Sequence, residues 1–362
     1  MNNLPSISVA GKHIRCISSN IRIQERISWT DVQVQSGIGH EGNIILAQVS
    51  EIGGRRAMEC INGPELFDVD LQKDDYIIGV LANRHSGTSE YGEVPSEGIY
   101  IGGREPLDLL SAGGIVGHCL GMPKSLGEKA TGLRTIGLLY GKDGILLDLA
   151  KLYPRWDAEL LPSAPIVLSC GTAAEVGKTT AAKNIIRAYR QMAVSNVAAV
   201  KLTGTGRKRD IYALASSGAF PAYDFPDVGL PTTYTSAERF LSATYTLLNK
   251  VNRDGSPEVI IGECGGDIIE GNVPTLLKDP HIMSRVSLII HSSFDVLGII
   301  GSLRMYEEWG ILARTPIILT YPYMRNFKAM KTRLDSLGIS TPIIDSFDEI
   351  ELTGALERFV SL

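Results

Sequence analysis

Two kinds of hydrophobic patterning divide the chain near residue 155. Before it, short β-type runs such as Asn43–Val49, Tyr76–Leu81 and Thr135–Tyr140 are separated by glycine-containing turns, and no long amphipathic helix stands among them. This predicts a small β-rich domain, a barrel or compact sandwich, over 1–155. After it, unbroken apolar runs at Ile166–Ser169, Val197–Lys201, Glu258–Gly262, Val286–His291 and Pro316–Thr320 alternate with helical periodicity. The helical stretches follow Lys178 and lie around Ala237–Lys250, near Ile299–Trp309 and at Met324–Leu337. Fully apolar strands alternating with helices predict an α/β domain over 156–362, a parallel sheet with helices on both faces. Ligands of such sheets bind beyond the carboxyl ends of the strands. Between the two patterns, Lys151–Pro165 carries three prolines and reads as a linker or a connection wrapping from one domain to the other.

The first α/β strand runs into Gly171-Thr172-Ala173-Ala174-Glu175-Val176-Gly177-Lys178-Thr179-Thr180 and then into a helix. A strand, a glycine-bounded loop and GKTT predict a P-loop. Its backbone N–H groups and the helix N-terminus face a polyphosphate, Lys178 reaches the terminal phosphates, and the Thr179 hydroxyl holds Mg²⁺. Five residues separate Gly171 from Gly177, one more than in the usual spacing.

Read whole, GTAAEVGKTTAA resembles the P-loop of dethiobiotin synthetase and its relatives, the ATP-dependent amidases and ligases of cobyrinate synthesis. Their loops also carry an extra residue and an acidic side chain before GK, here Glu175. The resemblance extends over about Ile166 to Ser346, with no counterpart for the N-terminal part. It implies an ATP-binding fold with Mg²⁺, Glu175 in the catalytic loop, and Lys201, which ends its strand, touching both substrate and transferred phosphate. A lysine closing a buried strand independently needs an anion to meet. The resemblance also implies Asp210, at the start of DIYALASSG, as a Mg²⁺ ligand, with Asp224 and Asp227 as competitors because the loop lengths differ. In ECGG the family's EGxGG segment is one residue shorter, and Glu263, Gly265 and Gly266 match it, with Glu263 as the further Mg²⁺ ligand. The strand at Pro316–Tyr323 stands where the family commonly places an adenine-reading asparagine; none is there, the nearest being Asn326. A homodimer is implied by the resemblance alone.

Bulk properties narrow the partners. A net charge of −5 without a sustained basic run argues against a nucleic-acid surface; Arg207-Lys208-Arg209 is short and reads as an anion contact or a solvated loop. No apolar run reaches the length of a membrane span, and the opening MNNLPSISVAGKHIR shows no export leader, so the expectation is a cytoplasmic protein without membrane contact. Five widely spaced cysteines without a CxxC pair favour free thiols, Cys170 and Cys264 as small core residues.

In the N-terminal part, Asn83–Tyr91 is dense in hydrogen-bonding groups and is open to two readings, a solvated connection or a loop that takes the carboxylate or amino group of a small ligand. Ser111–His118 lacks GxGxxG order and reads as a tight packing turn. His85 and His118 have no evident partner. Together these features lead to the expectation of an ATP/Mg²⁺-dependent ligase or kinase that phosphorylates a carboxylate or carbamate of a small-molecule substrate. Two alternatives accompany it: an N-acyltransferase acting on an amino acid, with the loop cradling an acyl-CoA phosphate, and a nucleotide-gated binding protein.

Overall fold

The computed structural model describes residues 7–62, 65–103 and 105–359; the first six residues of the opening stretch lie outside them. The chain forms two compact units. One comprises 1–155 with the later segments 205–209 and 225–235, the other 156–204, 210–224 and 236–362.

In the first unit, strands Tyr76–Leu81, Ile44–Glu51, Thr131–Tyr140, Pro106–Leu109 and Ile115–Gly121 pair in that order, antiparallel throughout. The last returns to the first in parallel, Ile115 opposite Val80 and Val116 opposite Leu81, which closes the ring into a barrel. Alternation along each strand sends side chains to two clusters. One draws on all five strands through residues such as Ile45, Ala47, Ile77, Leu107, Val116 and Leu133. The other packs Ile44, Leu46, Ile78 and Leu139 against Ile21, Trp29 and Leu149. Gly114, at φ +86, makes the turn in which a Cβ would meet Ser18 at 2.6 Å, so the 111–118 run is a packing turn only up to Gly114 and from Ile115 onward is strand.

The second unit is α/β. Its six-stranded sheet runs Ala222–Asp224, Val197–Thr203, Val259–Cys264, Ile166–Gly171, Val286–Ser292, Ile317–Thr320, with every pairing parallel. Each residue of Ile166–Gly171, Val197–Thr203 and Val259–Cys264 is buried, as strands covered on both faces require. On one face Lys178–Gln191 and Glu349–Phe359 pack Ile185, Ile186, Tyr189, Leu352 and Leu356 against Val167, Ile261 and Ile290. The long helix Ala237–Gly255 rests on Val197–Thr203 and Ala222–Asp224. No described helix is long and apolar enough to cross a membrane.

The proline-rich connection beyond Trp156 is tied down rather than loose. Thr246, Asn249 and Asn252, three residues apart on Ala237–Gly255, accept the backbone N–H groups of Asp157 (2.6 Å), Leu161 (2.9 Å) and Ala164 (3.0 Å). The short edge strand Ala222–Asp224 and the helices Val273–Lys278, Pro280–Met283 and Glu349–Phe359 add to the elements expected from the pattern.

Candidate functional site

The carboxyl end of Ile166–Gly171 opens directly into the loop before Lys178–Gln191. Gly171 has to be glycine: a Cβ there would lie 2.6 Å from Val176 and 2.8 Å from the Ser292 carbonyl. The additional loop residue is absorbed by two left-handed conformations, Glu175 at φ 63 and Gly177 at φ 96. Such alternation turns successive N–H groups toward one concavity. Thr172 anchors the other end, its N–H donating to Ser292 O at 3.1 Å and its hydroxyl lying 3.3 Å from Ser293 Oγ.

Lys178 is buried at the first position of its helix. Its ammonium donates to the Ala173 carbonyl across the loop, while Ser169 Oγ donates to the Lys178 carbonyl at 2.8 Å. Burial lowers the Lys178 pKa, and Glu263 offsets only part of this, so the ammonium is short of negative charge. At the next residue of the helix, Thr179 Oγ1 donates to Glu263 Oε1 at 2.6 Å. Glu263 closes Val259–Cys264, the strand next to the P-loop strand, and is only 4% exposed. Burial raises its pKa, outweighing Lys201 and Thr179. Its Oε2 has no hydrogen-bond partner although closed from solvent. A buried carboxylate oxygen left without a donor suits a cation, and beside the Thr179 hydroxyl it supplies the kind of ligand a hard divalent ion takes.

Lys201 and Glu263 are opposite each other on adjacent strands. Asp210, carried on helix Lys208–Ala215, forms an ion pair with the Lys201 ammonium. Burial would lower the Lys201 pKa, but Asp210 and Glu263 more than reverse it, so this lysine stays charged. Thus Thr179 and Glu263 meet directly, whereas Asp210 is bound to the lysine. Among the described residues no group of three or more His, Cys, Asp and Glu forms a metal cage. Asp224 is buried beside Lys201 in the sheet register. Asp227 belongs to the first unit, where it faces Arg22 and Lys208 at 3.8 and 3.7 Å.

After Glu263, the pair of glycines lets the chain come close to a neighbouring strand: a Cβ on Gly265 would sit 2.5 Å from Thr203 O, and Gly266 adopts φ +80. Six parallel strands, the glycine-bounded loop at the carboxyl end of a central one, and a buried lysine followed by a half-buried threonine opening the next helix define the architecture. The second unit has a P-loop NTPase fold. No protein-family model matches the sequence, and no curated protein matches it. Among solved structures the chain is similar to a ParA family ATPase from Chlorobium tepidum TLS at 14% identity and TM-score 0.32, covering 54% of this chain and 92% of that one. It is similar to a GTPase in apo form from Pyrococcus abyssi at 14% and 0.35, covering 54% and 95%. A DUF1611 family protein from Anabaena variabilis shows 14% and 0.38, covering 58% of this chain and 64% of that protein. These are distant likenesses, and the fold rests on the strand order and loop geometry of the chain itself.

Two features of this P-loop unit were not visible in sequence. A cleft of about 80 Å³ beside the loop is lined by Glu175, Gly177 and Thr180 on one side and by Tyr321, Pro322 and Phe347 on the other. Asn326, the nearest asparagine to that strand end, is occupied as a helix N-cap and accepts the Ala329 N–H at 3.1 Å. Behind the loop, fully buried His291 hydrogen-bonds Tyr306 at 2.9 Å, and burial with Lys178 nearby pushes it down to about 3, so it is a neutral neighbour of the site.

Proposed function

We propose that the P-loop unit binds a nucleoside triphosphate with Mg²⁺ and transfers its terminal phosphoryl group to a carboxylate or carbamate of a small metabolite. The observation that supports this most is the contact between Thr179 and the half-satisfied Glu263, beside a buried Lys178 that lacks compensating charge. Thr179 and Glu263 would hold Mg²⁺, with Asp210 as the further candidate ligand, and the ion would supply charge neutralisation for the phosphates. The loop N–H groups from Gly171 to Thr180 would cradle the phosphates, and Lys178 would exchange its Ala173 carbonyl for the transferred group. Lys201, kept charged by Asp210, would orient the acceptor oxyanion against it. Transfer yields an acyl phosphate and a nucleoside diphosphate; a nucleophile then takes the acyl carbon and phosphate leaves. Glu175, exposed at the rim, would act on the outer phosphate region rather than at the buried centre. As in the dethiobiotin synthetase-like proteins that the loop resembles, the working form would be a homodimer.

The aromatic-lined cleft favours keeping a second reading. Tyr321, Pro322 and Phe347 offer faces to any adenine and no free asparagine to select one, so the adenine of an acyl-CoA fits the same slot, as an N-acyltransferase would require. Calorimetric titration of the folded protein with ATP–Mg²⁺ and, separately, with acetyl-CoA tests both. Saturable Mg²⁺-dependent ATP binding supports phosphoryl transfer, acetyl-CoA binding without a Mg²⁺ requirement supports acyl transfer, and the lack of either rejects both.

A further inference from the structure

The first unit carries a charge imbalance that the P-loop reading does not use. The Asn83–Tyr91 stretch folds into a short hairpin in which Arg84–His85 pairs with Tyr91–Glu93. At its base Glu90 is fully buried. Arg55 grips it with both edges of its fork, Nε to Oε1 at 3.0 Å and Nη2 to Oε2 at 2.7 Å. Arg84 donates Nη1 to the same Oε2 at 2.9 Å and to the Leu110 carbonyl. One carboxylate therefore serves two guanidinium groups.

The third cation, Arg207, approaches Glu59 Oε1 at 3.4 Å. That carboxylate is already engaged by Ser19 Oγ at 3.1 Å and by the N–H groups of Lys208 and Arg209 at 3.0 and 3.3 Å. Both buried carboxylates are thus fully engaged while positive charge is left over. The shortage shows at Arg84, which burial and the neighbouring Arg55 push down to about 10 in spite of Glu90. Its Nε meets no acceptor. The group is not sealed off: Arg84, Arg55 and Arg207 keep 12%, 18% and 33% of their side-chain surfaces exposed. Next to Arg84 along the same strand, His85 stacks on Tyr91 at 4.5 Å, lies 5.0 Å from Tyr234 and places Nε2 3.0 Å from Glu93 Oε1.

We propose that Arg55, Arg84 and Arg207 form a binding site in the first unit for a small carboxylate of the size of a dicarboxylic or amino acid. A guanidinium offers two parallel N–H donors in one plane, matched to a planar carboxylate. Neutralising the surplus charge would favour the bound form, because an unpaired, partly buried cation is costly. The site is a proposal independent of nucleotide binding.

The test is a calorimetric titration of the full chain with succinate and with glutamate, each compared with inorganic phosphate at matched ionic strength. Saturable binding of at least one carboxylate, tighter than that of phosphate, is expected. Arg84→Lys keeps the charge but loses the fork and should weaken binding by about tenfold or more. Arg207→Gln, at a one-third exposed position that folding depends on less, should weaken it as well; melting curves establish that each variant is folded. No saturable carboxylate binding by the folded wild type, equal binding of phosphate, or wild-type affinity in folded Arg207→Gln would overturn the proposal.

Discussion

Two buried glutamates, one in each unit, are set in opposite ways. Glu59 in the barrel unit is completely enclosed and gathers a serine hydroxyl, two backbone N–H groups and an arginine. Glu263 in the α/β unit is almost as deeply buried but has one oxygen occupied by Thr179 and the other without a donor. A carboxylate whose lone pairs are filled by the protein holds structure together. One left half-filled stores a desolvation cost that a cation can relieve. The units thus differ in the sign of what is left over: negative oxygen at the P-loop, positive N–H in the barrel unit around Arg84.

Glu59→Ala should produce the largest effect. It leaves Arg207 and two helix-start N–H groups without their acceptor, so a loss of about 3–5 kcal/mol in chemical denaturation is expected; a loss under 1 kcal/mol would remove the structural half of the contrast. Lys178→Met should weaken ATP–Mg²⁺ binding by about a hundredfold, roughly 3 kcal/mol, with little change in melting temperature. Calorimetry beside a melting curve checks this, and unimpaired binding would contradict the P-loop reading.

Asn249→Ala sharpens the comparison from a third position. Asn249 donates to Asp157 Oδ2 at 2.9 Å and Glu159 O at 3.0 Å and accepts from Leu161 N. Its loss should cost about 2 kcal/mol and loosen 157–164, read as faster amide exchange there.

The smallest effect carries the sharpest sign. Glu263 titrates above the ordinary carboxylate range because burial disfavours its charge. Below that range it is protonated in both the folded and unfolded states and no penalty arises. As pH rises through the raised value the folded protein loses stability. Glu263→Gln should therefore melt slightly above the wild type at neutral pH without nucleotide, with the gap closing as pH falls. Adding ATP–Mg²⁺ should reverse the ranking. Melting curves over pH read both, and a variant less stable than wild type at every pH would place Glu263 among the structural carboxylates with Glu59.

The α/β unit was legible to the extent that its signals are local. Continuous apolar runs marked five of its six strands, and GKTT marked the loop. Ala222–Asp224 escaped because three residues with a single buried side chain carry no period. The barrel's β character was readable, its closure was not: the parallel pairing of Ile115 with Val80 joins strands distant in sequence, and alternation along one strand does not name its partner. Arg84 and Glu90 stood out in a polar loop, yet Arg55, which shares Glu90 with Arg84, gave no signal. Glu59 gave no signal either, because the N–H groups that hold it lie about 150 residues further along.

The sequence by itself determined the secondary-structure alternation and the strand-to-helix loop, and it named candidates for phosphate and Mg²⁺, since each depends on neighbours within a few positions. Only the tertiary structure decided which of those groups are satisfied. It paired Asp210 with Lys201 and Thr179 with Glu263, and it left Glu263 Oε2 and the Arg84 Nε without partners. The physical reason is that burial and hydrogen-bond saturation depend on what long-range folding brings within 3 Å, and residue spacing along the chain does not contain that information.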